Sequence, residues 1–181
     1  MKLAEIQAYT QELNAEVKTG SDRGVVLLLG SILDDYLYRI LKSFMIDNAA
    51  ATEQLLGVNR PLSEFSGKID LCHALGLIAT DEAKVLHKIR EIRNGFAHKI
   101  GIKLTDQPLK DKCKHLYDSL LDVEPDEVKG DPRAAFIYAA STMRIILMGR
   151  INEAQQQKRT PAADDKPLNQ RTMYLDWGWE D

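Results

Sequence analysis

Apolar residues in this chain recur three and four positions apart almost from end to end, which is the period of helices and not of strands. Leu3, Ile6, Thr10, Leu13 and Val17 predict a first helix with a modest apolar face, stopped near Gly20. Ser21 is placed to cap a second helix, with Asp22 in its first turn. That helix runs through Val25, Leu28, Leu29, Ile32, Leu33, Tyr36, Leu37, Ile40, Leu41 and Phe44, and is the expected centre of the core. Asp34 and Asp35 interrupt it, and one of them is expected near Arg93. A short helix over about 50–56 ends at Gly57, and Asn59-Arg60-Pro61 reads as loop. Ser63 is then expected to cap a helix to about Ile78 that buries Phe65, Ile69, Cys72 and Leu75 or Gly76. Thr80 is expected to cap the next.

In that next helix Val85, Ile89, Ile92 and Phe96 form the buried stripe. At about 100° per residue, Arg90, Asn94 and His98 fall on the opposite side, a ridge predicted to point away from the core, with Arg93 at the stripe's edge. Gly95 weakens the helix by about 1 kcal/mol relative to Ala, which would let the His98 imidazole swing toward Arg93. Residues 99–104 alternate briefly and suggest a short extended piece. Thr105 or Asp106 opens a helix through Leu109, Cys113, Leu116 and Leu120, and an acidic loop follows over 122–131. Asp131-Pro132 is a cap followed by proline at the first helical position. The last helix, from Pro132 to about Gln155, is expected to bury Phe136, Ala140, Met143 and Leu147, with Ile151 extending the stripe. The pattern predicts one all-α domain of six or seven helices over residues 1–155. Residues 156–181 read as a flexible acidic and aromatic tail containing Tyr174, Trp177 and Trp179.

Composition narrows the function classes. A hydrophobic content of 44% and a charged content of 28% over 181 residues describe an ordinary globular protein. No stretch reads as the ~20 apolar residues of a membrane span, and the opening Met1-Lys2-Leu3-Ala4-Glu5-Ile6 does not read as a secretory signal. A cytoplasmic protein without membrane contact is expected. Cys72 and Cys113 are solitary and read as reduced core thiols. A pI near 5.8 argues against indiscriminate coating of nucleic acid. Locally the balance reverses: Lys84–Lys103 holds six Lys or Arg against one acid, Glu91. Lys84, Lys88, Arg90, Lys99 and Lys103 are therefore candidate contacts for nucleic acid or a protein partner. His87 and Glu91, four apart, share a helix face, but no third ligand accompanies them, so neither a metal nor another cofactor is expected. Arg23, just inside a helix start, sits unfavourably in the helix dipole and predicts a structural ion pair first and a ligand contact second.

Two resemblances sharpen these expectations. Arg93-Asn94-Gly95-Phe96-Ala97-His98 resembles the Arg-x(4–6)-His motif of the all-helical HEPN superfamily. A longer ordered set resembles the mannitol operon repressor (MltR-like) family. It comprises Ser21-Asp22-Arg23-Gly24, Asn59-Arg60-Pro61-Leu62-Ser63-Glu64-Phe65-Ser66-Gly67-Lys68-Ile69, Ala74-Leu75-Gly76-Leu77-Ile78 and the segment Ile89–His98. The second resemblance implies a regulatory protein acting as a dimer through partner or nucleic-acid contacts. No helix-turn-helix with a basic recognition helix is visible, and Asp81 and Glu82 open the helix that would enter DNA, so direct sequence-specific DNA binding alone is not expected. The first resemblance implies an alternative, a metal-independent ribonuclease. There His98 would move protons, Arg93 would stabilise charge on phosphate oxygens, and Asn94 would orient either. Against both stands the simpler expectation that Arg93 pairs with Asp34 or Asp35 while His98 caps its helix.

Overall fold

The computed structural model describes residues 3–120, 128 and 130–162, and the described residues form seven helices and no strand. In chain order these are α1 (Leu3–Thr19), α2 (Asp22–Phe44), α3 (Ala49–Leu56), α4 (Phe65–Ala74), α5 (Thr80–His98), α6 (Gln107–Asp118) and α7 (Pro132–Gln156). The expected all-α architecture is present. Most of the acidic loop, the Trp-containing tail and the side chains of Leu3, Ile6 and Thr10 lie outside the described residues.

The core is built on α2. Its buried residues Val25, Val26, Leu29, Ile32, Leu33, Tyr36, Leu37, Ile40 and Leu41 cover about half of the helix circumference. That arc is wide enough to serve two partners at once. α7 lies along it, and α5 and α4 pack beside α7's footprint, with α1 closing one end and α6 bracing α7. Among the described residues α7 has the length and mean hydropathy, 1.3, of a membrane span, which the sequence reading passes over. Phe136, Ala139, Ala140, Met143 and Leu147 are fully buried in the shared core, whereas Tyr138, Ile145 and Met148 on the same helix are exposed.

Caps fall close to expectation where a short polar side chain precedes the apolar period. Ser21 Oγ accepts the Gly24 amide at 3.0 Å, and the Asp131 carboxylate accepts from Arg133 and Ala134 with Pro132 opening α7. Two caps are displaced. Glu64, not Ser63, precedes α4, and its side chain makes no capping bond. Ala79, not Thr80, precedes α5, and the Glu82 carboxylate reaches back to the Ala79 amide at 2.9 Å. The same carboxylate takes Arg150 of α7 at 2.7 Å, so one acid both starts α5 and ties it to α7. α4 ends at Ala74 rather than Ile78 because Gly76 turns left-handed (φ +70) and the Leu77 amide returns to the Cys72 carbonyl. Residues 99–104 form no strand: Lys99 is extended, Ile100 and Gly101 bend, and Leu104 enters a turn.

Long-range charges hold the helix ends. Arg133 donates to Asp22 at 2.9 Å and to the Glu16, Val17 and Gly20 carbonyls that close α1. Asp22 uses its other oxygen to accept the Leu104 amide at 3.0 Å, which pins the segment after α5. Cys72 and Cys113 are buried, and burial pushes both thiols up to about 12, so neither is a nucleophile at neutral pH. Removing Arg133 leaves carbonyls and Asp22 unsatisfied together. Arg133→Ala should lower stability by roughly 2 kcal/mol in urea unfolding, and a loss below about 0.5 kcal/mol would show that these contacts are ornamental.

Candidate functional site

α5 is buried over a broader arc than its apolar stripe suggests. Besides Val85, Ile89, Ile92 and Phe96, both Ala83 and Leu86 are buried. Leu86 lies about 20° round the helix from Arg93, so Arg93 faces the protein rather than its margin. Its stem crosses α2 at Gly30: a Cβ on Gly30 would sit 2.8 Å from Arg93 Cγ and 3.4 Å from its Cβ. Gly30 is thus a close-approach position, where a larger residue would hold α5 and Arg93 away.

Past Gly30 the guanidinium enters a polar cleft of about 240 Å³ lined by Asp34, Ser63, Glu64, Phe65, Ser66, Arg90, Arg93 and Asn94. Arg93 donates to Asn94 Oδ1 at 3.1 Å. Lys68, only 4% exposed, donates to the Ser63 carbonyl at 2.8 Å and approaches Asp34 Oδ1 at 3.0 Å as an ion pair rather than an aligned hydrogen bond. Burial pushes the Asp34 carboxyl above its ordinary range, while Lys68 and then Arg93 hold it back. Asp35 pairs instead with Arg39, one turn along at 2.7 Å. Of the two acids expected near Arg93, it is Asp34 that feels its charge.

The outward ridge expected from Arg90, Asn94 and His98 does not exist as one surface. Arg90 and Asn94 are half-buried in the cleft walls, and His98 is exposed at the helix end and does not line the cleft. Nor does His98 cap α5. Arg23 does so, donating to the Phe96 and Lys99 carbonyls. The expected ion pair for Arg23 is replaced by this C-terminal cap, where a cation complements the helix dipole. The signal in the sequence was the misfit of Arg23 in its own helix, but its target lies some seventy residues away.

The basic window also divides. Lys84 pairs with Asp81 at 2.9 Å, and Lys88 reaches the Ser119 hydroxyl at 2.7 Å and the His115 carbonyl at 3.3 Å, bracing α5 against α6. His87 meets Asp70 at 3.0 Å, while Glu91 pairs with Lys112, whose hydrogen bond lowers its carboxyl below the ordinary range. Lys99 and Lys103 are exposed and flank Ile100, which is 97% exposed. Sequence reasoning missed this residue, along with Gly30 and the buried Lys68.

These features define a helical protein with a charged cleft where α2, α4 and α5 meet and a braced basic loop beyond α5. No family model and no curated protein sequence matches the chain. In fold it is similar to a chain of the X-ray structure of the MtlR-HPr complex from Escherichia coli. The TM-score is 0.55 at 20% sequence identity, covering 82% of this chain and 97% of that one. At that identity the likeness establishes the shared helical architecture.

Because burial raises Asp34, the folded state binds its proton more readily than the unfolded chain does. Between the two pKa values folding takes up a proton, so this carboxyl's contribution to stability rises as pH falls. Carbon-detected NMR should place the Asp34 titration above the usual carboxylate range. Lys68→Met should move it higher still, because the ammonium holds it down. A titration that is ordinary in both proteins would remove the buried pair from the account.

Proposed function

We propose that this chain is a regulatory protein of the MtlR type that works by docking a protein partner, and is not an enzyme. The observation that carries the reading is the loop after α5. It offers Ile100, 97% exposed, between the cations Lys99 and Lys103, with His98 beside them. The loop is held at both ends. Arg23 grips the Phe96 and Lys99 carbonyls, Asp22 holds the Leu104 amide, and Ile102 packs, partly buried, against the core. An apolar side chain kept in water on a braced loop with a cationic rim has the make-up of an interface anchor, and it suits a partner with an apolar recess and an acidic edge. A solved structure of similar fold is that of the MtlR-HPr complex, and HPr is the partner we assign. Lys84 and Lys88, engaged within the fold, are not part of this surface. A homodimer, which the resemblance implies, completes the reading, and Arg90 and Asn94, half-buried in the cleft, lie outside the proposed docking loop.

A second reading, a metal-independent ribonuclease using Arg93, Asn94 and His98, draws on one feature. His98 is exposed and its side chain makes no hydrogen bond or ion pair with any described residue, which leaves its ring nitrogens open to a substrate. The two readings separate cleanly. Calorimetric titration with purified HPr should give a saturable complex, and Ile100→Asp should weaken it at least about tenfold, roughly 1.4 kcal/mol. No complex at about 100 μM partner, which is weaker than roughly −5.5 kcal/mol, would contradict the docking reading. Metal-free cleavage of RNA to cyclic-phosphate ends, lost in His98→Ala, would replace it with the enzyme.

A further inference from the structure

The cleft between α2, α4 and α5 is not used by the docking reading, yet it holds the chain's most unusual polar geometry. Arg90 places its Nε in a buried position with no hydrogen-bond partner among the described residues. Arg93, from the next turn of the same helix, makes one hydrogen bond among those residues, to Asn94, so most of its N–H donors stay open. Buried donors are ordinarily paired, so the Arg90 Nε is held at a cost, and since that atom is closed to solvent it is the rest of the Arg90 guanidinium that can meet a ligand in the cleft.

Opposite the arginines lies the N-terminus of α4. Its capping position is Glu64, whose side chain makes no cap bond, and the amides of Ser66 and Gly67 find no acceptor among the described residues. The Ser63 and Ser66 side chains add hydroxyl donors to the lining. The residues that line the cleft therefore supply two guanidinium groups, two hydroxyls and the open Ser66 amide. The only acids there are Glu64, exposed to solvent, and Asp34, already offset by the buried Lys68 at 3.0 Å.

We propose that this cleft binds the phosphoryl group of a small phosphorylated molecule. Guanidinium forks and helix-terminal amides match a tetrahedral oxyanion in both charge and shape. A space of about 240 Å³ admits a phosphate with a few further heavy atoms. It falls short of the roughly 300–1,000 Å³ of pockets for drug-sized ligands. A nucleic-acid strand would need a track of cations leading away from the cleft, and Lys84 and Lys88 on the same helix are engaged with Asp81, Ser119 and the His115 carbonyl. Asp34 restricts the rest of the ligand. A carboxylate in the wall repels a molecule that is anionic throughout and accepts hydrogen bonds from one whose remainder carries hydroxyl or amine groups. The site is independent of the loop that carries the docking reading.

The test is a titration of the isotope-labelled full chain with inorganic phosphate, followed by NMR against sodium chloride at matched ionic strength. The Arg93 side-chain N–H signals and the Ser66 amide should shift together and saturate with a Kd of about 1 mM or tighter. Glycerol phosphate should bind at least as tightly. Arg93→Gln should weaken phosphate at least about tenfold, with the amide spectrum elsewhere unchanged as proof of folding. Absence of saturation, equal shifts with chloride, or unchanged affinity in Arg93→Gln would overturn the proposal. Shifts of these signals with a short RNA but not with phosphate would overturn it in favour of a nucleic-acid site.

Discussion

A missing side chain sets the geometry of this protein's functional side. At Gly30, in the middle of the most buried helix, α2 offers bare backbone, and the aliphatic stem of Arg93 lies across it. Any Cβ there would press on that stem at 2.8 Å. Because α5 can settle at this depth, Arg93 carries its charge past the core and into the cleft, next to Asp34, with Arg90 and Asn94 on the same wall. An arginine is suited to this path, since its methylene stem packs as apolar surface while the guanidinium stays polar and charged at the far end.

Charge is used elsewhere mainly to finish helix ends. Arg133 closes α1, Arg23 closes α5, and Glu82 starts α5 while binding Arg150 of α7. These contacts join segments far apart in sequence, so they fix how the helices are arranged more than whether each one forms. Lys68 and Asp34 belong to a different class. A buried ammonium beside a half-buried carboxylate contributes little net stability but is costly to break on one side. Such a pair suits a cleft that must stay polar inside a largely apolar junction. The loop beyond α5 shares the same scaffold: Asp22 receives both Arg133 and the Leu104 amide, which links the closing of α1 to the position of Ile100.

Much of the fold was legible in the sequence because spacing and capping chemistry are local. Ser21, Gly57, Asp131 and Pro132 mark helix ends through interactions within a few residues. The site was only partly legible. Arg93, Asn94 and Arg90 were singled out, and one of Asp34 and Asp35 was expected near Arg93, yet the stripe Val85–Phe96 understated how much of α5 is covered. Ala83 and Leu86, off the stripe, were the sign that α5 is wedged between two neighbours. The cap that Arg23 supplies and the burial of Lys68 depend on tertiary placement, which no local period encodes. Ile100 escaped because an isolated isoleucine between lysines looks like part of a short extended segment until its exposure is known.

The account rests on Gly30 as the point that seats α5 and aims Arg93. A crystal structure of Gly30→Ala, paired with urea unfolding, tests this most directly. The account predicts that the Arg93 stem is displaced, that its hydrogen bond to Asn94 is lost, and that stability falls by at least about 1 kcal/mol, while the α2–α7 packing is retained. An alanine accommodated with Arg93 unmoved and stability unchanged would contradict it.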